Sequence, residues 1–240
     1  MIHRKSRGTY GSPRVHAELK QRGFEIGRNR IARLMAELGL AGARPKRFRR
    51  TTDSNHREPV APNLVEQSFE ASRPNELWAT DITYVWTSAG WLYLAVVLDL
   101  FSRRVVGWAA ADHMRTELVV EALGRALGVR DAGAGLVHHS DRGSQYASAA
   151  YRKLLDDQGI ACSMSAKGCC YDNAVVESFF ATLKKELVYR SAWADRETAS
   201  LAISEYIQAF YNHARLHSAN GYLSPVEYEN QHRGETALAA

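Results

Sequence analysis

Three carboxylates carry the chemistry in this chain: Asp81 in "WATDITY", Asp141 in "HSDRGSQY" and Glu177 in "DNAVVESFF". Fifty-nine residues separate the first two and thirty-five separate the last two. Asp81 sits mid-strand among residues that read as buried, where a carboxylate is costly unless it is paired or holds a metal. Asp141 and Glu177 are less distinctive alone. The first also reads as a turn aspartate, the second as a solvated helix residue. Gathered around one pocket, the three would repel one another unless hard cations neutralised them. Mg²⁺ or Mn²⁺ suit such oxygen donors, and two ions flanking a phosphate support an in-line phosphoryl displacement without a side-chain nucleophile. Lys184, seven residues after Glu177 and so on the same helical stripe, is a candidate phosphate contact or else a solvated surface lysine.

Gathering these groups needs a particular order of elements. Residues 75–86 alternate, with Trp78, Thr80, Ile82, Tyr84 and Trp86 on one face and Leu77, Ala79, Asp81, Thr83 and Val85 on the other. "WLYLAVVLDLF" and "SRRVVGWAA" follow after short turns, giving an antiparallel meander. A helix at 114–128, a strand "GLVHHS", a helix "SAAYRKLLDDQG", a strand "IACSMS", the long helix "DNAVVESFFATLKKELVY" and a helix at about 196–213 complete the β-β-β-α-β-α-β-α order. That order is the ribonuclease H-like arrangement: a mixed five-stranded sheet flanked by helices. With strand one beside strand four, Asp81 and Asp141 face each other and the long helix brings Glu177. Asp99 also enters a strand end and is expected to pair with Arg103 or Arg104.

The charge is uneven. Residues 1–60 hold 15 Lys/Arg against 5 Asp/Glu, whereas residues 61–240 hold 16 against 21. A basic head on a mildly acidic body points to a polyanion partner, with double-stranded DNA the first candidate. "SPRVHAELKQR" and "RNRIARLMAELG" form a helix-turn-helix-like pair presenting Arg28, Arg30 and Arg33; the alternative is a basic hairpin packed on the body. The stretch around Lys46, Arg47, Arg49 and Arg50 reads as a linker able to follow a phosphate backbone. The expected division is a head at 1–42, a basic, proline-containing linker at 43–72, a catalytic core at 73–230 and a tail at 231–240. The longest apolar run, Trp91 to Leu98, is too short to span a bilayer. Together with the absence of a secretory signal pattern this points to the cytoplasm. The three cysteines, Cys162, Cys169 and Cys170, have no disulfide or zinc-ribbon spacing.

"WATDITY", "HSDRGSQY", "KGCCYDNAVVESFFATLKKEL" and "YNHARLHSANGYLSPVEY", with "YGSPRVHAEL" in the head, resemble the transposases of IS3-type insertion sequences, within the integrase superfamily whose signature is DD(35)E. The resemblance runs over nearly the whole chain and departs at Ala166, Cys169 and Asn220, none of them in the triad. It implies that Asp81, Asp141 and Glu177 are the metal-binding catalytic residues and that Lys184 is the basic residue after the glutamate. It also implies Mg²⁺-dependent cleavage at inverted-repeat ends followed by strand transfer, a homo-oligomer on DNA, and partnership with an upstream reading-frame product. Arg142, Ser144, Gln145 and Lys167 become candidate DNA contacts. Gly143 is expected to keep the backbone slim where DNA approaches, and His139 to pack behind the site. Two other readings remain at this level: a DNA-binding protein without catalysis, and a structure-specific nuclease on the same fold.

Overall fold

The computed structural model describes residues 1–43, 59–65, 69–166 and 173–238. Three antiparallel strands, β1 (Leu77–Thr87), β2 (Gly90–Asp99) and β3 (Arg104–Ala111), are joined by parallel strands β4 (Val137–Ser140) and β5 (Ala161–Met164), in the spatial order β3-β2-β1-β4-β5. This is the mixed five-stranded sheet expected from the element order.

Each face has its own core. Trp78, Ala95, Val97 and Ala109 pack under Leu118, Val119, Ala122 and Leu123 of one helix, together with Tyr151 and Leu155 of another. Because both faces are covered, the interior strand β2 is apolar along nearly its whole length rather than alternating. Gly107 on β3 permits the close approach on this side. A Cβ there would lie 2.3 Å from the Ala122 carbonyl oxygen, so a side chain would force the helix off the sheet.

On the other face Leu77, Ala79, Leu94, Val96 and Leu98 meet Val176, Phe179, Phe180 and Leu183. Each of the large apolar side chains among these contributes about 1.5–3 kcal/mol, so the helix carrying Glu177 is firmly seated. The helices, in chain order, are α1 (Ile2–Lys5), α2 (Ser12–Gln21), α3 (Arg28–Glu37), α4 (Thr116–Val129), α5 (Ser144–Ala147), α6 (Ala149–Asp157), α7 (Ala174–Glu186), α8 (Arg196–Glu205) and α9 (Pro225–Leu238).

Three local expectations are corrected. The helix expected at 196–213 ends as α-helix at Glu205 and continues as a π-helical turn over Tyr206–Tyr211. Tyr206, Ile207, Phe210 and Tyr211 of that turn are all buried, and such turns occur as local insertions in α-helices. Asp99 is not ion-paired with Arg103 or Arg104. It is fully buried and accepts from the Asn75 and Phe101 backbone N–H groups at 2.9 and 3.0 Å, while Arg104 pairs with Glu229 of α9 at 2.8 Å. Burial raises the Asp99 pKa despite those donors. Finally, α9 runs on to Leu238, past the expected start of a tail at 231.

The head docks on the body. Tyr10, Val15, Ile31 and Met35 join the core that contains α7. The Leu216 N–H donates to the Tyr10 hydroxyl at 2.7 Å, and the Arg14 Nε donates to the Leu216 carbonyl at 2.9 Å. The expected linker is anchored on both sides, by the Ala43 N–H on the Thr9 carbonyl and by the Leu64 N–H on the Ser163 hydroxyl.

Candidate active site

Strand β1 pairs with β4 in parallel, with Leu77, Trp78 and Ala79 opposite Val137, His138 and His139. Extending that constant offset by two residues places Asp81 level with Asp141, which lies one residue beyond β4, where open α/β sheets present their sites. Both side chains are half-buried.

Backbone donors fix each carboxylate. Asp81 Oδ1 accepts from the Ile82 N–H at 2.7 Å, and Asp141 Oδ1 accepts from the Gly143 N–H at 2.8 Å. Gly143 has an ordinary φ of −61°, and the reason for a glycine is steric. An added Cβ would sit 3.0 Å from Asp141 Oδ1 and 2.9 Å from Gln145 Oε1. The residue makes room for the aspartate that folds back over it.

The third element is α7. Asn173, immediately before it, donates from Nδ2 to the Thr80 carbonyl at 3.3 Å, tethering the helix start beside Asp81. Glu177 lies in the first turn and is exposed. The three acids share one field. The Asp81 pKa is raised well above the usual carboxylate range by burial, then by Asp141, with Glu177 adding to it; the Ile82 N–H and Lys184 pull it down. Among the described residues no three His, Cys, Asp or Glu side chains are gathered tightly enough to hold an ion. Asp81 and Asp141 form the assembled part, and Glu177 stands outward of them. The donor chemistry fits a hard divalent cation: neighbouring carboxylate oxygens whose mutual repulsion such an ion would relieve.

Lys184 is largely buried rather than solvated, in the wall of a cavity with Tyr84, Trp86 and Trp91. It is 9% exposed, with Nζ 5.0 Å from the Tyr84 ring centroid. Burial lowers its pKa and the nearby charge of Asp81 raises it. His139 packs behind the site as expected, its Nδ1 2.9 Å from the Ser163 hydroxyl and its Nε2 3.2 Å from that of Ser165. Beside Asp141, Arg142 donates to the Ser165 carbonyl at 2.6 Å, Gln145 donates to the Met114 carbonyl at 2.9 Å, and Ser144 is exposed at the start of α5. On the head Arg28 and Arg30 are exposed, and Arg33 lies 3.6 Å from Glu37. Lys46, Arg47, Arg49, Arg50 and Lys167 lie outside the described residues, as do Cys169 and Cys170. Sequence reasoning missed Asn173 as the tether of the helix. A helix-start asparagine normally signals a cap to its own helix, not a bond to a strand.

Comparison with known proteins places these features in a family. Residues 71–170 and 177–232 match two models described as integrase core domain, and residues 1–48 match an HTH-like domain. The chain is 45% identical over 97% of its length to the insertion element IS600 uncharacterized 31 kDa protein of Shigella sonnei, covering 85% of that protein. It is 43% identical over 95% of its length to transposase InsF for insertion sequence IS3A of Escherichia coli, covering 79% of it. Among solved structures, the simian T-cell lymphotropic virus intasome in complex with PP2A regulatory subunit B56 gamma superposes with a TM-score of 0.57 at 18% identity, over 74% of this chain and 60% of that one. The HTLV-2 integrase catalytic core domain in complex with magnesium superposes at 0.52 and 15% identity, over 67% of this chain and 99% of that one. The structures share the integrase fold, and on the sequence relatives the chain belongs to the IS3 family of insertion-sequence transposases.

Proposed function

We propose that this transposase cleaves double-stranded DNA at the inverted-repeat ends of an insertion sequence and joins the freed ends to new DNA, with Asp81, Asp141 and Glu177 as its catalytic residues. The observation that carries the reading is the level placement of Asp81 and Asp141 across β1 and β4, with Glu177 of α7 in the same electrostatic field. Asp81 and Asp141 would hold divalent metal, two Mg²⁺ or Mn²⁺ ions, and Glu177 would complete the set. Such ions, when bound, stabilise the attacking and leaving oxygens of an in-line displacement at phosphorus.

The protein's own groups do the rest. The Ile82 and Gly143 N–H groups hold the two aspartates in fixed orientation, and Lys184 offsets part of their charge from below. In the cleavage step a water oxygen forms a bond to phosphorus while the phosphorus–O3′ bond breaks, leaving a 3′-hydroxyl. In the joining step that hydroxyl attacks a second phosphodiester and expels its 3′-oxygen. One P–O bond forms for each that breaks, so no energy source is needed. The exposed head cations Arg28, Arg30 and Arg33, and the half-buried Arg142 with Ser144 and Gln145 beside Asp141, engage the DNA backbone. Lys46, Arg47, Arg49, Arg50 and Lys167 are assigned to the same role on sequence alone. The protein works as a homo-oligomer on DNA in the bacterial cytoplasm, together with the product of an upstream reading frame.

The test is incubation of labelled inverted-repeat duplex with the protein, the upstream product and Mg²⁺ or Mn²⁺, beside Asp81→Asn, Asp141→Asn and Glu177→Gln. Cleaved and joined products are expected from the wild type and none above background from the variants. Joined products that survive all three changes would overturn the assignment. Cleavage without joining would favour a nuclease, and binding alone a DNA-binding protein without catalysis.

A further inference from the structure

Cationic side chains from three remote stretches of the chain meet on the flank of α7. They line a pocket of about 340 Å³, with Arg14 of α2, Arg103 from the β2–β3 turn, Arg215 and His217 sharing its wall with Ser178 and Thr182. The pocket adjoins the carboxylate site. Ser178 follows Glu177, and Leu98, also in the wall, pairs with Ala79 two residues from Asp81.

The three guanidiniums are not equivalent. Arg215 is committed to Glu186 through two bonds of 2.9 Å. Arg14 gives its Nε to the Leu216 carbonyl and has no ion pair among the described residues. Arg103 has no hydrogen bond or ion pair among the described residues, and its Nη1 is buried without a partner. It is held there at φ 64°, a left-handed conformation that costs a non-glycine residue energy. The acid that acts on it, Asp99, is already bonded to two backbone N–H groups. Burial lowers both the Arg103 and the Arg14 pKa. The same positive field, added to burial, drives His217 down to about 2. A buried guanidinium without a counter-charge is unfavourable, and one retained in a strained turn beside an open pocket is completed by an anion. Planar donors flanked by hydroxyls suit the oxygens of a phosphate.

We propose that this pocket takes a backbone phosphate of the bound DNA, with Arg103 and Arg14 as its ligands. The assignment rests on the transposase reading for the identity of the polymer, while its chemistry, one tetrahedral oxyanion, is shared with free inorganic phosphate. The experiment separates these. Thermal unfolding is followed in inorganic phosphate against chloride of equal ionic strength. DNA affinity is followed on duplexes from the flank of the gene in which one linkage at a time is a neutral methylphosphonate. The proteins are the wild type, Arg103→Asn, chosen because asparagine tolerates positive φ, and Arg14→Gln.

Phosphate is expected to raise the wild-type Tm by a few degrees and to leave Arg103→Asn unmoved. One neutral linkage should cost the wild type roughly ten-fold in affinity and Arg103→Asn nothing further. The slope of log affinity against log salt should fall by about 0.9 in that variant. Wild-type affinity, slope and phosphate response in both variants would overturn the proposal. A phosphate response through Arg103 with no linkage coupled to it would make the pocket a free-anion site and overturn the DNA assignment. The catalytic reading fails separately, by absence of metal-dependent cleavage in wild-type protein, which leaves the linkage result standing.

Discussion

Glu186→Gln tests how the end of α7 is locked to the C-terminal segment. Its carboxylate accepts from Arg215 at both oxygens, at 2.9 Å each, and from the Tyr206 hydroxyl at 2.8 Å. The two side chains are 0% and 4% exposed. Burial alone would raise the Glu186 pKa, but the Arg215 hydrogen bonds and charge outweigh it and hold it below the usual value. The amide keeps the shape and removes the charge, stranding a buried guanidinium, which costs roughly 3–5 kcal/mol. For a chain of this size each kcal/mol moves Tm by about 2–4 °C, so the midpoint should fall by roughly 6–20 °C in a calorimetric scan. The pH dependence has a definite sign. A folded-state pKa below the unfolded one gives stability that is present at neutral pH and lost as pH falls through the carboxyl range, so the variant should lack that part of the acid limb. Adding Arg215→Met should recover part of the loss, because an apolar pair at such a site is often neutral. A Glu186→Gln midpoint within about 2 °C of wild type would refute the reasoning.

Three further outcomes are expected. Gly143→Ala pushes the Asp141 carboxylate out of its turn, so cleavage should slow on the order of 10²-fold, as displacements of about 1 Å do, with little change in Tm; full activity would show that Asp141 needs no such support. Tyr10→Phe strands the buried Leu216 N–H and should cost about 1–3 kcal/mol in urea unfolding; an unchanged midpoint would mean that the head is not docked in solution. His138 and His217 are buried with pKa values lowered to about 3 and about 2, mainly by burial. Below about pH 6.5 the unfolded chain takes up protons that the folded one refuses, so stability should fall as pH drops, by up to about 1.4 kcal/mol per pH unit for each ring. A urea midpoint that does not move between pH 7.5 and 5.5 would contradict this.

Much of the sheet was legible because its signals are local. The alternation in β1, the short turns of the meander and the apolar run of β2 each lie within a dozen residues. The facing of Asp81 and Asp141 followed from strand order alone, since a parallel pairing of β1 with β4 makes sequence offset equivalent to spatial level. What escaped is non-local. Lys184 shares a stripe with Glu177, yet it buries against Tyr84 of a strand a hundred residues away. Asp99 has basic neighbours in sequence, but backbone donors reach it first. The cluster of Arg14, Arg103 and Arg215 has no periodicity to betray it, because it exists only once three separate segments are folded together.

The docked head has a consequence for measurement. Because Tyr10 and Arg14 bond to the same short stretch that carries Arg215, and Arg215 bonds to the helix bearing Glu177, the helices proposed to hold the duplex are joined through bonds among the described residues to the carboxylates proposed to cut it. The span from one to the other is a property of the folded protein, as in a caliper with its jaws locked. Where a strand is cut would then be counted in ångströms from where it is held, and shortening the stretch at 44–58 should alter how readily the protein folds without moving the cut.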